Sequence, residues 1–161
     1  NHTELLFKYL GLPIKIDKKK NYDLIKVNGL KKIKPFNYKI PSDISSGAFF
    51  LILTALSKNS KLVIKDMNIN PSRIGVLKIL RLMDIKIGVH NTKHYKGEKI
   101  AQISIQSHSK IKPIICPKNL NSSAIDEFLL IFLVAAKANG VSYFKDLSEL
   151  NQKESPRLVW G

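Results

Sequence analysis

The stretch Asp43-Ile44-Ser45-Ser46-Gly47-Ala48-Phe49-Phe50-Leu51 decides the fold, because it has an echo. Ile44 to Leu51 recurs as Ile125-Asp126-Glu127-Phe128-Leu129-Leu130-Ile131-Phe132, 81 residues further on. Asp43 follows the break at Pro41-Ser42 and reads as the N-cap of a helix from Ile44 to about Ser57. The apolar residues of that helix leave little polar face, so it is expected to be buried on most sides. Lys65-Asp66 likewise returns as Lys145-Asp146, 80 residues on. After each helix come a turn (Asn59-Ser60, Asn139-Gly140) and a strand. A second helix of the unit recurs too, since Leu77 to Ile87 resembles Glu4 to Ile14, with Ile-Lys-Ile at residues 85–87 and again at 14–16. The repeating unit is therefore strand, helix, strand, helix, strand, strand. Self-similarity at such a period implies stacked copies of one supersecondary unit. Each copy has two helices to bury, so the expected class is α/β, with repeated βαβαββ units and helices inside the sheets.

The remaining elements can be placed around this repeat. Thr3 to Leu10 reads as a short amphipathic helix stopped by Gly11. Ile14 to Ile16, Leu24 to Val27 and Tyr38 to Ile40 read as short strands, as does Lys61 to Lys65. Asn70-Pro71-Ser72 opens a helix from Ile74 to Met83. Lys86 to His90 and Lys99 to Gln106 read as strands joined by a polar loop at Lys96-Gly97. Ile111 to Cys116 and Val141 to Phe144 are further strand candidates. Ser122-Ser123 is expected to cap a helix from about Ala124 to Ala138, and a last helix is expected from near Glu154 to Gly161.

Composition excludes several classes. The chain has 161 residues, 44% of them hydrophobic, which suits a folded core. Its longest apolar run, Phe128 to Ala136, is far short of the roughly 20 residues that cross a bilayer. No membrane association is expected, and no signal peptide is visible at the polar N-terminus. Cys116 is the single cysteine, which excludes an intrachain disulfide and a cysteine metal cluster. A reducing, cytoplasmic compartment is the simple reading. The four histidines (His2, His90, His94, His108) show no metal-ligand spacing, so neither a metal nor a cofactor is expected. The net charge of +15 raises nucleic-acid binding as an alternative. However, only Arg73, Arg81 and Arg157 among the 27 cationic residues are arginine, and the lysines are spread along the chain. Background bias and attraction of small anions explain the charge better.

Five blocks then carry a resemblance. His2-Thr3-Glu4 with Tyr9-Leu10-Gly11 resembles the "RDHTE…L…G" segment of the EPSP synthase family. Pro41-Ser42-Asp43-Ile44-Ser45-Ser46-Gly47-Ala48-Phe49-Phe50 is similar to its "PGDISSAAFF", and Asn70-Pro71-Ser72-Arg73-Ile74-Gly75 to "NPTRTG". Ile125-Asp126-Glu127 matches "IDE", and Lys153-Glu154-Ser155-Pro156-Arg157-Leu158 resembles "KESDRL". The blocks keep the family's order and compatible spacings across almost the whole chain.

The resemblance implies the enolpyruvyl transferase fold of two domains, each of three βαβαββ units. Residues 1–41 would be the tail of one domain and residues 43–161 part of the second, one full unit and part of the next. It implies transfer of an enolpyruvyl group from phosphoenolpyruvate to the 5-hydroxyl of shikimate 3-phosphate, with release of phosphate. The partners would be these two substrates and the remainder of the same polypeptide. By resemblance, Asp126 contacts the shikimate ring hydroxyls, Lys153 binds shikimate 3-phosphate, Glu154 handles the methylene proton and Arg157 binds phosphoenolpyruvate. Such chemistry needs a base, an acid and cations for anionic groups. The related UDP-N-acetylglucosamine enolpyruvyl transferases are the alternative within the fold. The family's N-terminal Lys-Ser-Arg cluster, "NAGT" loop and Ser-Ala-Gln segment are absent from these residues. The chain is therefore expected to be an internal fragment that is inactive alone.

Plainer roles stand beside these. Ser123-Ala124-Ile125-Asp126 fits a capping box, and Lys153 to Arg157 an ordinary helix start. Ser45 and Ser46 read as capping and packing residues, and Arg73 as a surface or interdomain residue. Ser42, Pro156 and Phe128-Leu129 depart from the family pattern, which bears on the geometry near Asp126 and Arg157.

Overall fold

The structure is a computed structural model that describes residues 2–29, 32–107 and 110–160. Helix α1 (His2–Tyr9) leads into an antiparallel hairpin of β1 (Ile14–Lys18) and β2 (Asp23–Val27), in which Ile16 faces Ile25. These match the sequence reading to within one or two residues. The expected strand at Tyr38 to Ile40 does not form. Pro35 interrupts the segment, and its polar groups bind a hairpin tip instead. There, Lys39 donates its backbone N–H to the Tyr95 hydroxyl (3.0 Å), Lys96 donates to the Asn37 carbonyl, and Tyr38 packs 5.6 Å from the Tyr95 ring.

Helix α2 (Ile44–Leu56) begins where Asp43 was expected to cap it. The carboxylate of Asp43 accepts from the Ser46 backbone N–H at 2.7 Å and from its hydroxyl at 2.9 Å. Asp43→Ala should therefore cost about 1 kcal/mol, read as a lower urea midpoint at unchanged slope. After α2 come β3 (Lys61–Asn68), α3 (Gly75–Leu82), β4 (Ile87–Tyr95) and β5 (Glu98–Gln106). The strands form an antiparallel sheet in the order β3-β5-β4, with Ile103 of the central strand opposite Ile64 and Val89. A bulge between Ile64 and Met67 places Asp66 at φ 50° and turns both Met67 and Asn68 inward. Asp146, the echo of Asp66, has φ 59°, so the repeat persists in the backbone as well as in the letters.

Beyond the sheet, the second copy of the unit is looser than expected. The strands expected at Ile111 to Cys116 and Val141 to Phe144 reduce to one parallel bridge, Ile115 to Tyr143. Pro113 and Pro117 lack the N–H groups that a longer ladder would use. The helix expected from Ala124 to Ala138 is α4 (Phe128–Ala135), preceded by two short 3₁₀ turns, Lys118–Leu120 and Ser122–Ala124. The Ser123 hydroxyl donates to the Leu120 carbonyl (3.0 Å), so the capping box does not form. A third 3₁₀ turn, Ser148–Gln152, comes before α5 (Arg157–Trp160), which starts three residues later than expected. Pro156 disfavours helical geometry in the residue before it, and the chain from Lys153 to Ser155 bends, with Lys153 itself extended. The expected end of that helix, Gly161, lies outside the described residues.

The core lies between one face of the sheet and the helices. Leu51 and Ile52 of α2, Ile79 and Leu80 of α3, Phe128 and Ile131 of α4 and Ile103 of β5 are essentially fully buried together. This is the layered α/β arrangement expected. Burial of α2 is one-sided, however. Phe49, Phe50 and Leu53 are more than half exposed, because the described residues supply a sheet on one side only.

Candidate active site

Four segments converge at Asp126: the first turn of α2, the turn before α3, the turn before α4 and the start of α5. The approach to α3 is shaped by Asn70. Its side-chain oxygen accepts from the Ser72 backbone N–H (3.1 Å) and hydroxyl (2.9 Å), and this tight turn presents Arg73. Gly75 lets α3 press against the 3₁₀ turn at Ser123–Ala124. A Cβ there would lie 2.5 Å from the Ser123 hydroxyl and 2.6 Å from its carbonyl carbon. This close approach brings Arg73 to Asp126.

The Asp126 carboxylate is held by three cations. Arg73 donates to Oδ2 at 2.8 Å, while Lys153 and Arg157 face Oδ1 at 3.2 and 3.4 Å. The Asp126 side chain keeps 24% of its accessible surface, so the cluster opens to solvent. Burial works against its charge. The hydrogen bonds from Arg73 and Lys153 outweigh burial and hold the carboxyl below the usual carboxylate range.

A carboxyl lowered in the folded state stabilises the fold above its unfolded value, and this stability is lost as pH falls through the native value. Unfolding free energy should therefore rise with pH across the acid range up to about the ordinary 3.8 of an aspartate. Urea titrations at stepped pH should show a flatter acid limb in Asp126→Asn. An unchanged limb would contradict the ion-pair assignment.

Three of the four residues singled out in the sequence thus meet: Asp126, Lys153 and Arg157. Glu154 does not join them. Its side chain is 88% exposed, with its carboxylate 3.5 Å from Arg157. Arg73, read from the sequence as a surface or interdomain residue, is the tightest partner of Asp126 and also donates to the Ser45 hydroxyl (3.0 Å). The Ser45 hydroxyl in turn donates to buried Glu127 at 2.5 Å, so this side chain serves the cluster, whereas that of Ser46 completes the helix cap as expected. The one signal for Arg73 was its place in the Asn70-Pro71-Ser72-Arg73 block.

Among the described residues no three His, Cys, Asp or Glu side chains group as metal ligands, and no helix is long and apolar enough to cross a membrane. His108 lies outside the described residues. The arrangement can hold a polar, anionic molecule. Its cations attract phosphate or carboxylate, the N-terminal ends of α2, α3 and α4 add partial positive charge, and Asp126 offers an acceptor for hydroxyls.

The profile of the family described as EPSP synthase (3-phosphoshikimate 1-carboxyvinyltransferase) matches residues 1–160. A 3-phosphoshikimate 1-carboxyvinyltransferase of Ruthia magnifica is 39% identical over 98% of this chain and 35% of its own length. That of Hydrogenovibrio crunogenus is 38% identical over 98% of this chain and 36% of its own. A solved structure of EPSP synthase from Acinetobacter baumannii superposes with a TM-score of 0.88 at 35% identity, covering 99% of this chain and 35% of that one. The chain spans about a third of the length of the curated relatives it matches. With its ordered motifs, its repeated α/β unit and this cation-ringed carboxylate, the chain belongs to the EPSP synthase (3-phosphoshikimate 1-carboxyvinyltransferase) family.

Proposed function

We propose that this chain supplies part of an active site that transfers the enolpyruvyl group of phosphoenolpyruvate to the 5-hydroxyl of shikimate 3-phosphate, releasing phosphate. The observation that carries the reading is the Asp126 carboxylate held among Arg73, Lys153 and Arg157 at the family's motif positions. Asp126 accepts hydrogen bonds from the ring hydroxyls of shikimate 3-phosphate and draws density onto the attacking oxygen. Lys153 takes the phosphate of shikimate 3-phosphate. Arg157 pairs with phosphoenolpyruvate, for which its planar fork suits carboxylate or phosphate. Glu154, exposed here, serves the methylene proton once substrate and the rest of the polypeptide close over it.

Residues 1–41 act as the tail of one domain and residues 43–161 as part of the second. The remainder of the polypeptide supplies the other ligands, so the 161 residues alone should give no turnover. The UDP-N-acetylglucosamine reading is weaker, since His2-Thr3-Glu4 and the Lys153 to Arg157 block both side with the shikimate enzymes. A cytoplasmic location fits the free, buried thiol of Cys116.

In the full-length polypeptide, Asp126→Asn should lower kcat for phosphate release by about a hundredfold or more, the usual worth of a positioned acid or base. Turnover equal to the parent's would remove Asp126 from the chemistry. Turnover with UDP-N-acetylglucosamine in place of shikimate 3-phosphate would transfer the assignment to the related enzyme.

A further inference from the structure

Glu127 is a buried acid for which the proposed chemistry has no use. Its residue exposure is 2%, in the turn that carries Asp126 into α4. Burying a carboxyl is costly unless its partners compensate, so its placement calls for a physical reason. The hydrogen bonds around it form a chain with a fixed direction. Arg73 has donors only, so the Ser45 oxygen must accept from Arg73 Nη2 at 3.0 Å. The single Ser45 proton is then left for Glu127 Oε1, at 2.5 Å. The other arm of the same guanidinium reaches Asp126 Oδ2 at 2.8 Å.

We propose that Glu127 is a positioning residue, which through Ser45 fixes the plane of Arg73 and through Arg73 the orientation of the Asp126 carboxylate. The two neighbouring acids thus have divided tasks. Asp126 is open to solvent, while Glu127 turns inward and anchors the cation that holds Asp126. The relay also ties α2, the turn before α3 and the turn before α4 into one unit, because each contributes a member. Burial pushes the Glu127 carboxyl up, opposed by the Ser45 hydrogen bond and the Arg73 charge, as expected for an anchor whose position matters more than its charge. The relay stands on this geometry, and only its consequence for catalysis rests on the proposed function.

Glu127, its carboxyl pushed up, is already protonated where Asp126, held low, titrates, so removing it deletes no charge there. What changes is the hold on Arg73, and releasing Arg73 raises the Asp126 midpoint. The experiment is a carbon-13 titration of the Asp126 carboxylate in this chain, with amide spectra to verify the fold. In Glu127→Ala the midpoint should move up. In Glu127→Gln, whose amide oxygen still accepts from Ser45, it should stay where it is. Ser45→Ala breaks the relay at its middle and should also move the midpoint up, which preserves the test if Glu127→Ala does not fold. Adding Glu127→Ala to Ser45→Ala should give no further rise. A midpoint unchanged or lowered in Glu127→Ala or Ser45→Ala overturns the relay, as does a further full rise in the double variant.

In the full-length polypeptide, Glu127→Ala should weaken shikimate 3-phosphate binding about tenfold, the scale of one charge-assisted hydrogen bond, with Glu127→Gln recovering most of it. If the titrations follow the relay and shikimate 3-phosphate binding does not change, the relay stands and the substrate assignment fails.

Discussion

Replacing Phe128 with alanine is expected to destabilise the chain by about 4 kcal/mol, a large share of a small domain's whole stability. Phe128 is fully buried at the first residue of α4. Its ring meets Phe144 edge-on at 6.0 Å and tilts against Phe132 at 5.9 Å, while Phe132 and Phe144 close the trio at 5.1 Å. The cavity left by alanine would sit among rings locked by one another, where neighbours cannot easily collapse inward. Edge-on contact between aromatic rings adds to simple burial. The functional consequence follows from position. Phe128 lies two residues beyond Asp126, so a loosened α4 start would also release the carboxylate. Urea unfolding should give the loss directly, and the acid limb attributed to Asp126 should shrink with it. Phe128→Leu should lose less than half as much, because most of the volume stays filled. A loss below about 1 kcal/mol for the alanine variant would mean that the trio is not a core element.

Gly75→Ala should cost about 3 kcal/mol, although alanine is ordinarily the better helix former. The added Cβ would lie 2.6 Å from the Ser123 carbonyl carbon and 2.7 Å from the Ala124 backbone nitrogen. Backbone on both sides cannot yield as a flexible side chain can, so α3 must withdraw from the 3₁₀ turn. Arg73 and Asp126 sit on the two surfaces that would part. The variant should therefore lose both stability and, in the full-length polypeptide, shikimate 3-phosphate affinity. Gly47→Ala is the control. Its Cβ would meet the mobile end of Met67, Cε, at 2.5 Å, and its cost should be much smaller. Equal losses in the two variants would discard the backbone-contact explanation.

How much of this was legible in the letters depends on the range of the interaction. Elements with strong local patterns came out nearly in place. Asp43 before an apolar run marks the start of α2, and alternating residues mark β3 and β5. The misread segments are those in which proline or a distant partner overrides local preference. Tyr38 to Ile40 reads as a strand, yet Tyr95, far along the chain, takes the Lys39 N–H, and Lys96 takes the carbonyl of neighbouring Asn37. Pro113, Pro117 and Pro156 break or delay elements that composition alone would extend. Ser123 is a good cap residue by type, but its hydroxyl bonds backward to Leu120.

The site divides in the same way. Asp126, Lys153 and Arg157 could be named because they sit in ordered motifs whose residue types suit anions and hydroxyls. Arg73, Ser45 and Glu127 could not be joined to them. They are separated from one another by tens of residues, and an arginine in a turn looks the same whether it faces solvent or a carboxylate.

By itself, the sequence determined the repeated α/β unit and the family, because periodicity, caps and motifs act over a few residues. The tertiary structure alone decided which cation holds Asp126 most tightly, why Gly75 must be glycine, and that Glu127 turns inward behind Ser45. Those outcomes depend on how three helix starts are packed together, and packing brings into contact residues that no local pattern relates.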